Sequence, residues 1–338
     1  MSAHRSPAAQ IVADLCARFP KASSRTLAKR LHNEHPALFT SIELARNSVR
    51  TKRGNRGKRA RGEVADKSLF KPNGKAGELP PLPESIATSW EPFVIDARRV
   101  LVLSDLHLPF HSQKALDAAL EHGDEFRPEA VLFNGDVFDF FQLSRFDKHP
   151  KICDVDAELA AGRQLFTHVR KRFPKARIFA KLGNHDERWA NYIYRAAPLL
   201  SGVKQVVDGW QAPAGIIENK VTVIKDQRPI MLGKLPVFHG HELGKSIFSP
   251  VNPARGAFMR AHHTILIGHS HQTSGHADTN MWHDETFCWS TGCLCALSPE
   301  YARINRWNWG FATVTVERDG AFNVQNMRIA KNGKVRAS

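Results

Sequence analysis

A chain of 338 residues with 42% apolar side chains can hold one large domain and a small one. No apolar run approaches the ~18 residues that cross a bilayer, and the first residues lead into no signal-peptide core, so the reading excludes a membrane-spanning protein and expects a cytoplasmic one. The 48 Lys+Arg against 33 Asp+Glu leave a formal net charge of +15. That charge is uneven. Residues 1–62 carry 14 Lys+Arg and 3 Asp+Glu, and the remaining residues are nearly balanced, with 34 against 30. The five cysteines, Cys16, Cys153, Cys288, Cys293 and Cys295, show no zinc-type pairing and read as reduced thiols.

The basic segment, residues 1–62, has helical patterning. Ile11, Val12, Leu15 and Phe19 recur at helix spacing. Ser23 or Ser24 caps a second predicted helix carrying Leu27, Ala28 and Leu31, and Pro36 breaks it. Ser41 caps a third, with Ile42, Ala45 and Val49 on one face and Arg46, Arg50 and Arg53 towards solvent. Three short helices with a basic last one have the outline of a helix-turn-helix. The run from Lys52 to Arg61 is a flexible basic tail of the kind that contacts phosphate backbones without reading sequence. Nucleic acid is therefore the expected partner of this module, with a solubilising tail or an acidic protein partner as the alternatives. Residues 63–97 read as a proline-rich linker, within which Ser85 to Pro92 packs on the following domain through Trp90.

From residue 98 the pattern changes to short apolar runs, each ending in polar, chemistry-bearing residues. Arg99–Ser104 reads as a buried strand and is followed by Asp105-Leu106-His107. Residues two apart on extended backbone point the same way, so both side chains reach one ion. Ala130–Phe133 ends in Asn134-Gly135-Asp136-Val137-Phe138-Asp139, and Ala176–Ala180 ends in Lys181-Leu182-Gly183-Asn184-His185-Asp186. His239-Gly240-His241 follows, and Thr264–Ile267 ends in Gly268-His269-Ser270-His271. Four strands thus deliver ligands at their carboxyl ends, where open α/β sheets place their crevice. Carboxylates, imidazoles and one amide, without thiolate, suit Mn, Fe or Zn. The set is larger than one ion can use, and two ions about 3.5–4 Å apart form a clamp for phosphoester hydrolysis. Asp186 and Glu187 read as the acidic start of the next helix. Helices are expected over Gln113–Glu125, Asp154–Arg172 and Glu187–Ala196. Strands are expected over Thr286–Ser290, Phe311–Val316 and Phe322–Arg328, with Asp319-Gly320 as a hairpin turn. Trp307-Asn308-Trp309 reads as a core or lid anchor ahead of a base-stacking surface. Residues 331–338 read as a basic tail.

The ordered motifs D-x-H, G-D-x-x-D, G-N-H-D, H-G and G-H-x-H resemble those of the calcineurin-like metallophosphoesterase superfamily, over roughly residues 98 to 330. The resemblance implies a layered α/β sandwich, two packed β-sheets flanked by helices, here preceded by the small basic helical module. It implies two divalent ions, with Mn expected and Fe or Zn as alternatives. Asp105, His107 and His271 would bind the first ion, Asp136 would bridge, and Asn184, His239 and His269 would bind the second. A water or hydroxide shared between the ions would attack phosphorus in line. His185 would protonate the leaving oxygen, and Asp139 would orient it. His241, beside the expected ligand, reads as supporting or substrate-facing.

Three functions follow from this set. The first is a phosphodiesterase or nuclease tethered to nucleic acid by residues 1–62. The second is a phosphomonoesterase, acting on phosphoprotein or a small phosphate, whose basic module only localises it. Phe140 stands where the Ser/Thr protein phosphatases carry a phosphate-gripping Arg, which argues against that subfamily. The third is a non-catalytic nucleic-acid-binding protein, and the complete ligand set argues against it.

Overall fold

The computed structural model describes residues 6–54, 83–84, 90–145, 154–244, 251–299 and 302–338. The basic tail beyond Gly54, most of the expected linker and Cys153 lie outside the described residues. The chain divides into two compact units, residues 1–87 and 88–338.

The first unit holds three helices, α1 (Pro7–Arg18), α2 (Ser24–Glu34) and α3 (Ile42–Lys52). Each starts at a serine whose hydroxyl accepts a backbone N–H: Ser6 from Ala9, Ser23 from Thr26 and Ser41 from Leu44. Val12, Leu27, Ala28, Leu31, Phe39, Ala45 and Val49 close a small core among them. Two expectations for α3 need correction. Ile42 is 39% exposed, leaving Ala45 and Val49 as the buried face. Arg53 turns inward, and its guanidinium donates to the carbonyls of Ala22, Phe19 and Pro20 at 2.6, 3.0 and 3.3 Å. It closes the end of α3 onto the turn between α1 and α2.

The second unit is a layered α/β sandwich. Its strands are β1 (Phe93–Val94), β2 (Arg99–Leu103), β3 (Ala130–Asn134), β4 (Arg177–Lys181), β5 (Val221–Ile224), β6 (Ile230–Leu232), β7 (Leu235–Val237), β8 (Ile265–Ile267), β9 (Ser274–Thr279), β10 (Glu285–Ser290), β11 (Gly310–Val316), β12 (Phe322–Ile329) and β13 (Val335–Ala337). One sheet runs β13-β12-β11-β2-β3-β4-β5, and the other β1-β6-β7-β8-β10-β9. β2, β3, β4 and β5 are parallel, and β11 joins β2 antiparallel. Their helices are α4 (Gln113–Phe126), α5 (Val155–Arg172), α6 (Arg188–Ala196), the short α7 (Lys204–Val207) and α8 (Pro253–Ala261).

The period of two explains the layers. Leu101, Leu103, Val131 and Phe133 face α4 and α5, packing on Leu116, Leu120, Leu165 and Phe166. Val100, Val102, Ala130 and Leu132 point the other way, onto Leu232, Leu235, Val237 and Leu266 of the second sheet. A strand buried on both faces has no polar alternation, which is why these runs read as continuously apolar. α8 covers the far side of the second sheet through Ala254 and Ala257. The sheets extend past the boundaries expected for the catalytic domain: β1 pairs with β6, and β13 pairs with β12 inside the expected tail. The expected hairpin turn is present, with Glu317 N bonded to Ala321 O and Gly320 at φ 85°.

Candidate metal centre

The carboxyl ends of β2, β3 and β4 from one sheet, and of β7 and β8 from the other, open on one place. The loops after them carry Asp105 and His107, then Asp136 and Asp139, then Asn184 and His185, then His239, then His269 and His271. The ligands after β2 and β8 do not reach one ion from extended backbone, as their spacing suggested. Asp105, His107, Asp136, His269 and His271 all take left-handed backbone, with φ between 50 and 65°. Such φ values are uncommon for residues with a Cβ and gather at functional sites. Glycine is needed where loops nearly touch. A Cβ on Gly135 would stand 2.2 Å from His239 Nδ1, and one on Gly183 would stand 2.2 Å from Asp136 Oδ1.

Among the expected ligands, two groups of atoms form. In one, atoms of Asp105, His107 and His271 lie within 4.8 Å of one another; in the other, atoms of Asp136, His239 and His269 do. Asp105 Oδ1 is 3.2 Å from His271 Nε2 and 4.0 Å from His239 Nε2. Asp136 Oδ2 is 3.2 Å from His239 Nε2 and 3.7 Å from His107 Nε2. Both carboxylates therefore touch imidazoles of both groups. Asp105, His107, Asp136 and His239 are no more than 1% exposed.

The polar atoms here are arranged for cations. Asp105 Oδ1, Asn184 Oδ1 and His239 Nε2 are buried without a hydrogen-bond partner, a cost natural structures rarely carry unless something else occupies the site. His107 Nε2 and His271 Nε2 stand 3.1 Å apart, an approach two bare lone pairs do not make without a proton or cation between them. Burial disfavours the charged ring of His239, but the charge of Asp136 outweighs it and pushes the pKa up to about 10. Burial and Asp105 strike the same balance at His271, also up to about 10. His269 goes the other way, down to about 4, through burial and the nearby His239. The carboxylates attract positive charge, and a divalent ion supplies it while displacing the protons. The residues present fit a pair of such ions.

Around the ligands sits a supporting layer. His107 Nδ1 meets Asp139 Oδ2 at 3.0 Å, and His239 Nδ1 meets the Asn134 carbonyl at 2.7 Å. These contacts fix ring orientation, as outer partners of metal-bound imidazoles do. Asp139 was expected to hold His185; it lies closer to His107, with His185 Nδ1 at 3.4 Å. His185 donates its backbone N–H to Asp136 Oδ1 at 2.8 Å, and its ring packs edge-on to His107 at 4.4 Å between centroids. His241 is outside both groups of ligand atoms, with ring nitrogens 3.7 Å from Glu187 and 3.5 Å from Glu242.

Several contributors were not visible in the sequence. Asp186 does not begin the helix; it is 2% exposed and accepts the amides of Asp136, Phe138 and Gly183 at 2.7, 2.9 and 2.9 Å. Burial and Asp136 push its carboxyl up to about 7. Glu187 is the N-cap residue of α6. Arg188, one turn after His185, donates to Asp139 Oδ1 at 3.0 Å and to His185 Nε2 at 3.1 Å; its only signal was H-x-x-R spacing at a helix start. Glu242 receives Lys181 at 2.9 Å and the Gly240 amide at 2.6 Å, fixing the loop of His239. Phe140 is buried and stacks on Phe138 at 5.2 Å, so it offers nothing to a phosphate. Trp309 is an anchor, donating to the Cys295 carbonyl at 2.8 Å, and Trp307 lies against His271 with centroids 4.1 Å apart.

A sequence model described as calcineurin-like phosphoesterase matches residues 98–301. The gene 54 protein of Mycobacterium phage L5 is 25% identical over 233 residues, covering 65% of this chain and 90% of that protein. The gene 54 protein of Mycobacterium phage D29 is 26% identical over 189 residues, covering 52% and 70%. Among solved structures, vacuolar protein sorting 29 from Cryptosporidium parvum is similar at TM-score 0.40 and 12% identity, over 72% of this chain and 96% of that one. YfcE, a phosphoesterase from E. coli, is similar at TM-score 0.33 and 14% identity, over 71% and 97%.

Proposed function

The chain belongs to the calcineurin-like phosphoesterase family and is a metal-dependent phosphoester hydrolase, and from that premise we propose that it cleaves phosphodiesters of nucleic acid with two divalent ions, manganese in the first instance. The observation that carries the two-ion reading is the trio of buried ligand atoms without a hydrogen-bond partner, Asp105 Oδ1, Asn184 Oδ1 and His239 Nε2. Asp105, His107 and His271 would hold one ion, Asn184, His239 and His269 the other, and Asp136, in contact with both groups, would bridge. Bound there, the ions supply Lewis acidity that lowers the pKa of water towards about 7 and offsets phosphoryl charge.

The protein's own groups do the rest. His185 stands beside the bridging carboxylate and is the proton donor to the leaving oxygen. Asp139 Oδ2 lies 3.4 Å from its Nδ1, and Arg188 donates to its Nε2 at 3.1 Å; for Nε2 to carry the proton to the leaving oxygen, that Arg188 contact has to open when substrate binds. Nucleic acid is favoured as substrate by the first unit, where Arg18, Lys21, Arg25, Lys29 and Lys52 are exposed on a three-helix frame. Such charge neutralises backbone phosphates. Among the described residues no helix is long and apolar enough to cross a membrane.

The test is hydrolysis by manganese-reconstituted protein of a phosphodiester reporter, a phosphomonoester reporter, and labelled single- and double-stranded DNA, beside His185→Ala. Cleavage of the diester and DNA, lost in the variant, is expected. Turnover of the monoester alone would move the protein to the phosphatase class, with residues 1–62 as an address.

A further inference from the structure

The His271 imidazole is backed differently from those of His107 and His239. His107 and His239 rest their outer nitrogens on a carboxylate and a carbonyl, the partners metal-bound histidines usually take. His271 Nδ1 instead faces Cys295 Sγ at 3.8 Å. Cys293 stands beside them, and one ring nitrogen of His271 and the two sulfurs all lie within 4.8 Å of one another. Cys293, Cys295 and His271 are 0, 2 and 5% exposed.

The backbone holds the pair of sulfurs still. Cys293 N donates to Asn308 O at 3.0 Å, Gly310 N to Cys293 O at 3.1 Å, and Leu294 N to Asp105 O at 3.1 Å. Leu294 points into the helix-side core. Cys293 and Cys295 flank it, and both sulfurs lie beside the His271 ring.

We propose that Cys293, Cys295 and His271 Nδ1 form a further cation site, selective for a thiophilic divalent ion of the zinc class and joined to the binuclear centre through the His271 ring. With Zn–S near 2.3 Å and Zn–N near 2.0–2.1 Å, a tetrahedral site sets nitrogen and sulfur about 3.6 Å apart and two sulfurs about 3.8 Å apart. The 3.8 Å between His271 Nδ1 and Cys295 Sγ is close to that edge. Thiolates favour soft and borderline ions over manganese or magnesium, so this site and the oxygen- and nitrogen-lined centre select different metals. Because the ring is shared, ligation at both nitrogens takes it as an imidazolate, its remaining ring proton released to solvent as the second ion binds, and an ion on Nδ1 tilts the ligand that Nε2 offers on the other side. The inference rests on the reading of His271 as a ligand of the binuclear centre.

The experiment is a titration of the full, manganese-loaded chain with cadmium, following the thiolate-to-cadmium charge-transfer absorption while both metals are counted by mass spectrometry. One cadmium per chain with the thiolate band, and manganese retained, is expected. Cys293→Ser and Cys295→Ser each remove the band, and Cys288→Ser leaves it. X-ray absorption of the zinc-loaded wild type, which needs no variant, should show two sulfur scatterers. A band that survives both serine variants, or zinc with no sulfur neighbours, overturns the site and leaves the thiols as packing against His271. Failure to load manganese while the sulfur-dependent band persists would sink the binuclear reading and leave this site standing.

Discussion

Asp186 Oδ2 accepts the backbone amide of Asp136 at 2.7 Å, tying the loop after β4 to the loop after β3. The same carboxylate takes the amides of Phe138 and Gly183. Asp136 sits in left-handed backbone, at φ 53°, and the two hydrogen bonds from that turn to one buried acid offset its strain. The loop of the proposed bridging carboxylate is thus held by a residue outside every group of candidate ligand atoms.

Asp186→Ala leaves three buried amides without an acceptor, at roughly 1–3 kcal/mol each. We expect a loss of several kcal/mol in chemical denaturation and weaker manganese retention. A loss below about 1 kcal/mol would mean that the amides find other partners.

Asp136→Asn removes charge from a side chain that, like Asp105, lies against imidazoles of both groups of ligand atoms. Manganese affinity should fall by at least the roughly 10–100-fold that altering an outer partner of a ligand costs, and content should fall towards zero ions, not one. Retention of a single tightly held ion would show that Asp136 serves one site only.

His185→Ala should keep full metal content and lower kcat by roughly 10²–10⁴-fold, the range for a positioned proton donor. Arg188→Ala should slow the reaction in the wild-type background and change little in the His185→Ala background, because the two act as a unit. Additive losses across the double-mutant cycle would separate Arg188 from His185 and assign it to the substrate.

The candidate metal centre was legible because its residues follow short runs of β-branched and aliphatic residues, and because five motifs keep a fixed order. The supporting layer was not. Asp186 after Asn184-His185 reads as a helix start, and two of its three partners lie 48–50 residues upstream in the loop after β3. Left-handed backbone at Asp105 and His107 has no sequence signal, since neither is glycine. β1 and β13 have two and three residues, too few for periodicity to register. Arg53 looked solvated because nothing in α3 announces three carbonyls more than 30 residues earlier in the chain. The pairing of Cys293 and Cys295 with His271 appears only when the ends of β8 and β10 are brought side by side.

Glu158, in α5, gives the pH dependence. It is fully buried, accepts the Phe140 amide at 2.6 Å through Oε1, and leaves Oε2 without a hydrogen-bond partner. Burial, aided by the charge of Asp139, pushes its pKa up to about 8 from the usual 4.5. A carboxyl raised on folding binds its proton more tightly in the native state than in the unfolded one. Stability from this group is therefore intact below about pH 4.5 and is lost as pH rises to about 8, by on the order of a few kcal/mol. Glu158→Gln keeps an oxygen for Phe140 N–H and removes the ionisation. The variant should match wild type in urea denaturation near pH 5 and exceed it above pH 8.5. A variant less stable than wild type at the higher pH would mean that Glu158 is ionised and paired in the native protein.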